Sequence, residues 1–143
     1  MKDEIVTYPT AKLAKEKGFD WNILHSYRDG ILDFEEHFEG TISEMYFNAN
    51  DINRTKFKEV LSAPTQSLLQ RWLREVHSID CLVHLNMNNE YSCHIYKNHL
   101  SINKDKDIWK GEGIIPNGKK YEDVLEEGLQ EALKLVPNET KTQ

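Results

Sequence analysis

The sequence predicts an α+β fold in which an antiparallel sheet built from hairpins packs against two amphipathic helices, about 63–77 and 121–136. Three observations carry this. Leu68, Leu69, Trp72, Leu73 and Val76 recur at helical spacing and form one apolar stripe, with Gln70, Arg71, Arg74 and Glu75 opposite. Tyr121, Val124, Leu125, Leu129, Ala132, Leu133 and Val136 do the same near the C-terminal end. Between them, Ile79–Leu85 and Tyr91–Tyr96 alternate with period two around the polar turn Met87-Asn88-Asn89.

Taken in order, Pro9 to Lys17 reads as a short helix, with proline in its first turn and Gly18 at the C′ position. Asp29-Gly30, flanked by Ile23, Leu24 and Tyr27 before and Ile31, Leu32 and Phe34 after, is a hairpin turn signal. Ile42 to Phe47 fits a further strand, and 48–55 a polar loop. Ser62 reads as the N-cap of the central helix and Pro64 as a first-turn residue. The polar stretch 97–120 is long for a structureless loop, so Ile108-Trp109 or Gly113 to Ile115 is expected to be pinned as a short strand. Pro137 ends the last helix. The domain is read as residues 1–137, with 138–143 a frayed tail.

Parity sets the register of the 79–96 hairpin. Cys81, Val83 and Leu85 form one apolar face, and Tyr91, Cys93 and Ile95 the other strand's equivalent. Putting both sets on one side requires paired numbers to sum to an even value, hence a three-residue loop with Asn89 left-handed. Leu85 then opposes Tyr91, and Val83 opposes Cys93. Gly128 lies on the apolar stripe of the last helix, where its lack of a side chain suits close approach to the sheet.

Composition narrows function by exclusion. Charged residues at 29% and hydrophobics at 38% are ordinary for a soluble domain, and no apolar run approaches the ~20 residues of a membrane span. A net charge of −6 disfavours nucleic acid and anionic membranes as partners. Two cysteines and an N-terminus without an apolar signal core suggest free thiols and a cytoplasmic setting.

The segments Ala63-Pro64-Thr65-Gln66-Ser67-Leu68-Leu69-Gln70-Arg71-Trp72-Leu73-Arg74-Glu75-Val76-His77, Tyr121-Glu122-Asp123 and Glu126-Glu127-Gly128-Leu129-Gln130-Glu131-Ala132-Leu133-Lys134-Leu135 resemble an uncharacterised family of small bacteriophage and prophage-related proteins from gut bacteria. Residues Thr10 to Phe19 are similar too. The resemblance covers roughly half the chain and implies a mobile-element origin and a cytoplasmic setting. It lends no residue a role.

No Walker loop, dinucleotide glycine motif, zinc-protease helix or nucleophile elbow is present. The sequence therefore leans away from an enzyme, and no catalytic residue or cofactor is assigned. His77, Cys81, His84, Cys93, His94 and His99 suggest a metal. Strand alternation opposes it: Cys81 and His84 point to opposite faces, as do Cys93 and His94. The surviving metal candidates are His84 and His94, with His99 or a carboxylate completing the site, serving a small metal-dependent enzyme. A basic group of Arg54, Lys56, Lys58, Arg71 and Arg74, with Thr65, Gln66 and Ser67 at a helix start, could meet an anion, but reads first as a solvated face. Glu122, Asp123, Glu126, Glu127 and Glu131 against Lys134 carry −4 of the chain's −6 and suggest nucleic-acid mimicry as a further alternative. The leading expectation is a non-catalytic accessory domain that binds an unidentified protein partner. Trp21, Phe34, Phe38 and Trp109 are the candidate contact aromatics, and a homodimer through a free hairpin edge is allowed.

Overall fold

The computed structural model describes residues 3–33, 58–98, 100–101, 109–112 and 120–138. Among them are three helices and two antiparallel sheets, which confirms the α+β class. They divide into two compact units, Ile5–Thr65 with Pro137–Gln143, and Met1–Glu4 with Gln66–Val136.

In the first unit, α1 (Tyr8–Glu16) has Pro9 in its opening turn. Gly18, at φ +85°, closes the other end: its N–H bonds Lys15 O at 3.0 Å and Phe19 N–H bonds Ala14 O at 2.9 Å. That pairing satisfies carbonyls the helix cannot reach internally. Thr10, Ala11 and Ala14 are buried, as are Val6 and Phe19. Strands β1 (Ser26–Arg28) and β2 (Ile31–Asp33) meet at Asp29-Gly30, both at positive φ, which matches the twist a two-residue hairpin needs. On the other side of β1 runs β3 (Val60–Ser62), giving the order β2-β1-β3. The aromatics Phe34 and Phe38 and the expected strand 42–47 lie outside the described residues.

One sequence expectation is corrected here. Ser62 is not a helix cap and Pro64 is not in a first turn, because α2 begins only at Gln66 and runs Gln66–His77. Ser62 ends a buried strand paired with Ser26. Two constraints explain this: a residue before proline is pushed out of the helical region, which holds Ala63 extended, and β1 needs β3 as its neighbour.

In the second unit, β4 (Ile79–Leu85) and β5 (Glu90–Lys97) form the hairpin. Beyond β5, β6 (Leu100–Ser101) and β7 (Trp109–Glu112) pair with its two ends, so among the described residues β5 is central and β4 an edge. The expected short strand near Trp109 is therefore present. Both α2 and the last helix, α3 (Tyr121–Lys134), pack on this hairpin and on each other. The core joins Leu69, Trp72 and Leu73 to Ile79, Cys81, Cys93, Ile95, Val124, Leu129 and Leu133. Each large apolar side chain so buried contributes on the order of 2 kcal/mol. Val76 departs from its expected stripe and is exposed; His77 instead lays its ring against Trp72, centroids 4.5 Å apart. The helix α3 ends two residues earlier than expected, yet Val136 stays buried.

Candidate functional site

The hairpin is the best-built feature for function, and its geometry starts at the turn. Asn86 Oδ1 accepts from Asn88 N–H at 2.9 Å and from Glu90 N–H at 3.0 Å, while Asn89 sits at φ +58°. This three-residue loop places Leu85 opposite Tyr91 and Val83 opposite Cys93, the register that parity predicts. At the turn Asn86 N–H bonds Glu90 O, and at the far end Asn98 N–H bonds Ser78 O, both at 2.9 Å. Even-numbered positions of β4 therefore exchange bonds with β5, and odd-numbered ones turn their main-chain groups outward.

That outward edge is partly plugged. Gln70 Nε2 donates to Cys81 O, so α2 satisfies the carbonyl at one end of it. Val83 and Leu85 lie further along, with no strand beside β4 among the described residues. Apolar side chains surround this stretch: Leu82 is 47% exposed, Leu85 48%, and Met87 in the turn fully exposed. Leu85 was expected in the core; it sits past the part of the hairpin that the helices cover. Neither leucine could be singled out from sequence, because edge position depends on which other strands pair.

On the face away from the helices, His84 and His94 meet edge to face with centroids 4.3 Å apart, and Tyr96 lies 6.4 Å from His94. The structure thus unites two of the three metal candidates. His99 is outside the described residues, and among those described no three His, Cys, Asp or Glu side chains form a metal cluster. Of the aromatic candidates, Trp21 is half-buried rather than exposed. The backbone of Trp109 pairs opposite Cys93.

Under the helices lies the second chemical feature. Cys81 and Cys93 are fully buried and free, on one face of the hairpin, with their Sγ atoms 3.0 Å apart. The contact with Cys93, and then burial, push the Cys81 thiol well above its ordinary range, so Cys81 stays protonated while the site is closed.

An open cleft of about 280 Å³ lies between the starts of α2 and α3, where Asp3, Glu4 and Glu122 give it an acidic mouth. Its polar walls are occupied with each other. Gln66 Nε2 donates to Glu122 O and to the Glu126 carboxylate, both at 2.9 Å, and Ser67 Oγ donates to Asp3. The donors expected to serve an anion at Gln66 and Ser67 are thus committed to acceptors of the chain itself. Arg71 is likewise paired with Glu75 at 2.7 Å. Glu126 is only 9% exposed, so it leaves the acidic surface row to which sequence reasoning assigned it. No family model, curated protein or solved structure matches the chain.

Proposed function

We propose that this chain is a non-catalytic accessory domain of the mobile-element kind its sequence resembles, and that it binds a protein partner by accepting an extended segment along the edge of β4. The observation that carries this reading is the edge itself. Outward main-chain groups at Val83 and Leu85 sit among exposed Leu82, Leu85 and Met87. Strand addition uses both at once: main-chain bonds supply affinity and alternate side chains supply selectivity. The partner segment is extended and apolar at alternate positions. Among the described residues only a short edge lacks a neighbouring strand, so the contact belongs among weak, exchangeable interfaces.

Val83 offers a clean test. Its N–H points away from β5, so Val83→Pro removes an edge donor without touching the hairpin ladder. A displayed library of random peptides panned against the wild-type chain should yield extended apolar binders that lose at least roughly tenfold in affinity to Val83→Pro, with unchanged circular dichroism. Recovery of no binders, or of binders indifferent to Val83→Pro, overturns the proposal.

The His84–His94 contact supports a second reading, a small metal-dependent enzyme whose site these imidazoles begin. Native mass spectrometry with and without a chelator separates the two. A chelator-sensitive mass excess lost in His84→Ala favours the metal reading, and the bare chain mass removes it.

A further inference from the structure

We infer that Cys81 and Cys93 form a disulfide-forming site sealed by α3, so that oxidation of the pair reports and then locks the hairpin beneath the helix. The two thiols lie on one face of adjacent strands, diagonal in register, because Cys81 opposes Ile95 and Val83 opposes Cys93. Their Sγ atoms are 3.0 Å apart, so about 1 Å of approach closes a bond of ordinary length. The chain positions the pair and at the same time shields it. Gly128 of α3 presses directly on both sulfurs: a Cβ added there would lie 2.8 Å from Cys81 Sγ and closer still to Cys93 Sγ. Neither thiol has any exposed surface. Thiolate is the reactive form, and burial suppresses it, so reaction waits on local opening of α3 from the sheet.

The oxidant is a hydroperoxide, and the chemistry balances in two steps. One sulfur, as thiolate, attacks a peroxide oxygen; the O–O bond breaks, and the departing hydroxide takes a proton to become water. The resulting sulfenic acid is attacked by the second sulfur as thiolate. The S–O bond breaks, a second hydroxide leaves and is protonated, and the S–S bond forms. The two thiols lose two electrons and two protons, and hydrogen peroxide becomes two waters.

The test uses the full chain and hydrogen peroxide. No lysine or arginine lies between Glu75 and Tyr96, so trypsin releases both cysteines in the single peptide Glu75–Lys97. The expected result is loss of the mass of two hydrogens from that peptide, reversed by dithiothreitol. Oxidation of Met87 in the same peptide adds oxygen and is not reversed, so the two are distinguished. Gating is tested by rate: Gly128→Ala, or wild-type chain in urea below its unfolding midpoint, should speed disulfide formation at least roughly tenfold. Urea keeps the test valid where Gly128→Ala does not fold. Covalent dimers, a peptide that never loses hydrogen, or native oxidation as fast as that of the fully unfolded chain would each overturn the inference.

Discussion

Gly128→Ala sets helix propensity against packing, and the structure says which should win. In an exposed helix interior, alanine is better than glycine by about 1 kcal/mol. At this position the new methyl would lie 2.8 Å from Cys81 Sγ, 3.1 Å from Cys93 Cβ and nearer than either to Cys93 Sγ. None of these is the far end of a flexible side chain. The sulfurs hang from paired strands, and both are fully buried, so relief requires α3 to move off the sheet. Overpacking of this kind costs about 1–3 kcal/mol, and three contacts below van der Waals distance place it in the upper half. After the propensity gain, a net loss of about 1–2 kcal/mol remains. Urea unfolding followed by circular dichroism measures it, and a double-mutant cycle assigns its cause. Cys93→Ala alone should cost on the order of 1 kcal/mol by leaving a small void. In Gly128→Ala/Cys93→Ala the new methyl gains room where the sulfur was, so the pair should be more stable than the sum of the singles by about 1 kcal/mol. If Gly128→Ala instead stabilises the chain, as an exposed glycine would, α3 is not seated on the thiols.

Three further outcomes follow from other positions. Gly30→Ala should cost about 1 kcal/mol through backbone strain alone, since Gly30 has φ +83° and nothing within 4 Å of an added Cβ; thermal unfolding checks it. Gln66→Leu removes an amide that bonds Glu122 O and Glu126, leaving the buried carboxylate short of a donor, for a loss of roughly 1–3 kcal/mol in urea unfolding. The double variant Gln66→Leu/Glu126→Leu should recover part of that loss. Burial first, and then the charge of Lys97, lower the pKa of His77 below the ordinary histidine value of 6.5, and its Nε2 is buried with no hydrogen-bond partner among the described residues. The unfolded chain therefore binds a proton before the folded one does. Stability from this residue is full above pH 6.5 and falls as pH drops from there through the lower folded value. In His77→Gln that part of the pH slope should vanish, and a slope unchanged by the substitution refutes the assignment.

What the sequence disclosed and what it hid divide along physical lines. Periodicity is local, so α1, α2, α3 and both hairpins could be read from residue spacing. The β4–β5 register followed from a parity argument, because an odd sum would have put Cys81 and Cys93 on opposite faces. The start of α2 was misread because two local cap signals, Ser62 and Pro64, competed with a long-range demand: β1 needs β3 as a neighbour, and no window of the sequence contains both strands. The same limit hid Leu82 and Leu85. Their alternation is visible, but exposure depends on β4 being an edge, a property of the whole sheet. Gln66 gave no signal at all. Its role comes from bonds to Glu122 and Glu126 on a helix more than 50 residues away.

The acidic helix shows how burial can redirect an electrostatic argument. Five acids in α3 invite the picture of a charged rod that imitates a nucleic-acid backbone. Glu126 is withdrawn from it, being buried and bonded to Gln66, and Glu131 is paired with Lys134 at 2.5 Å. The remaining negative surface of this helix is Glu122, Asp123 and Glu127, gathered in the first two turns, where the helix dipole favours acids and Asp123 accepts from Lys120 N–H. Neutralising Glu126 would change stability rather than surface charge, so a loss of binding in that variant would say nothing about mimicry. The exposed leucines of β4 have no such explanation among the described residues: they cover no core there, and burying them against a partner strand removes apolar surface from water. That asymmetry is why the edge of β4, rather than the charged helix, carries the functional proposal.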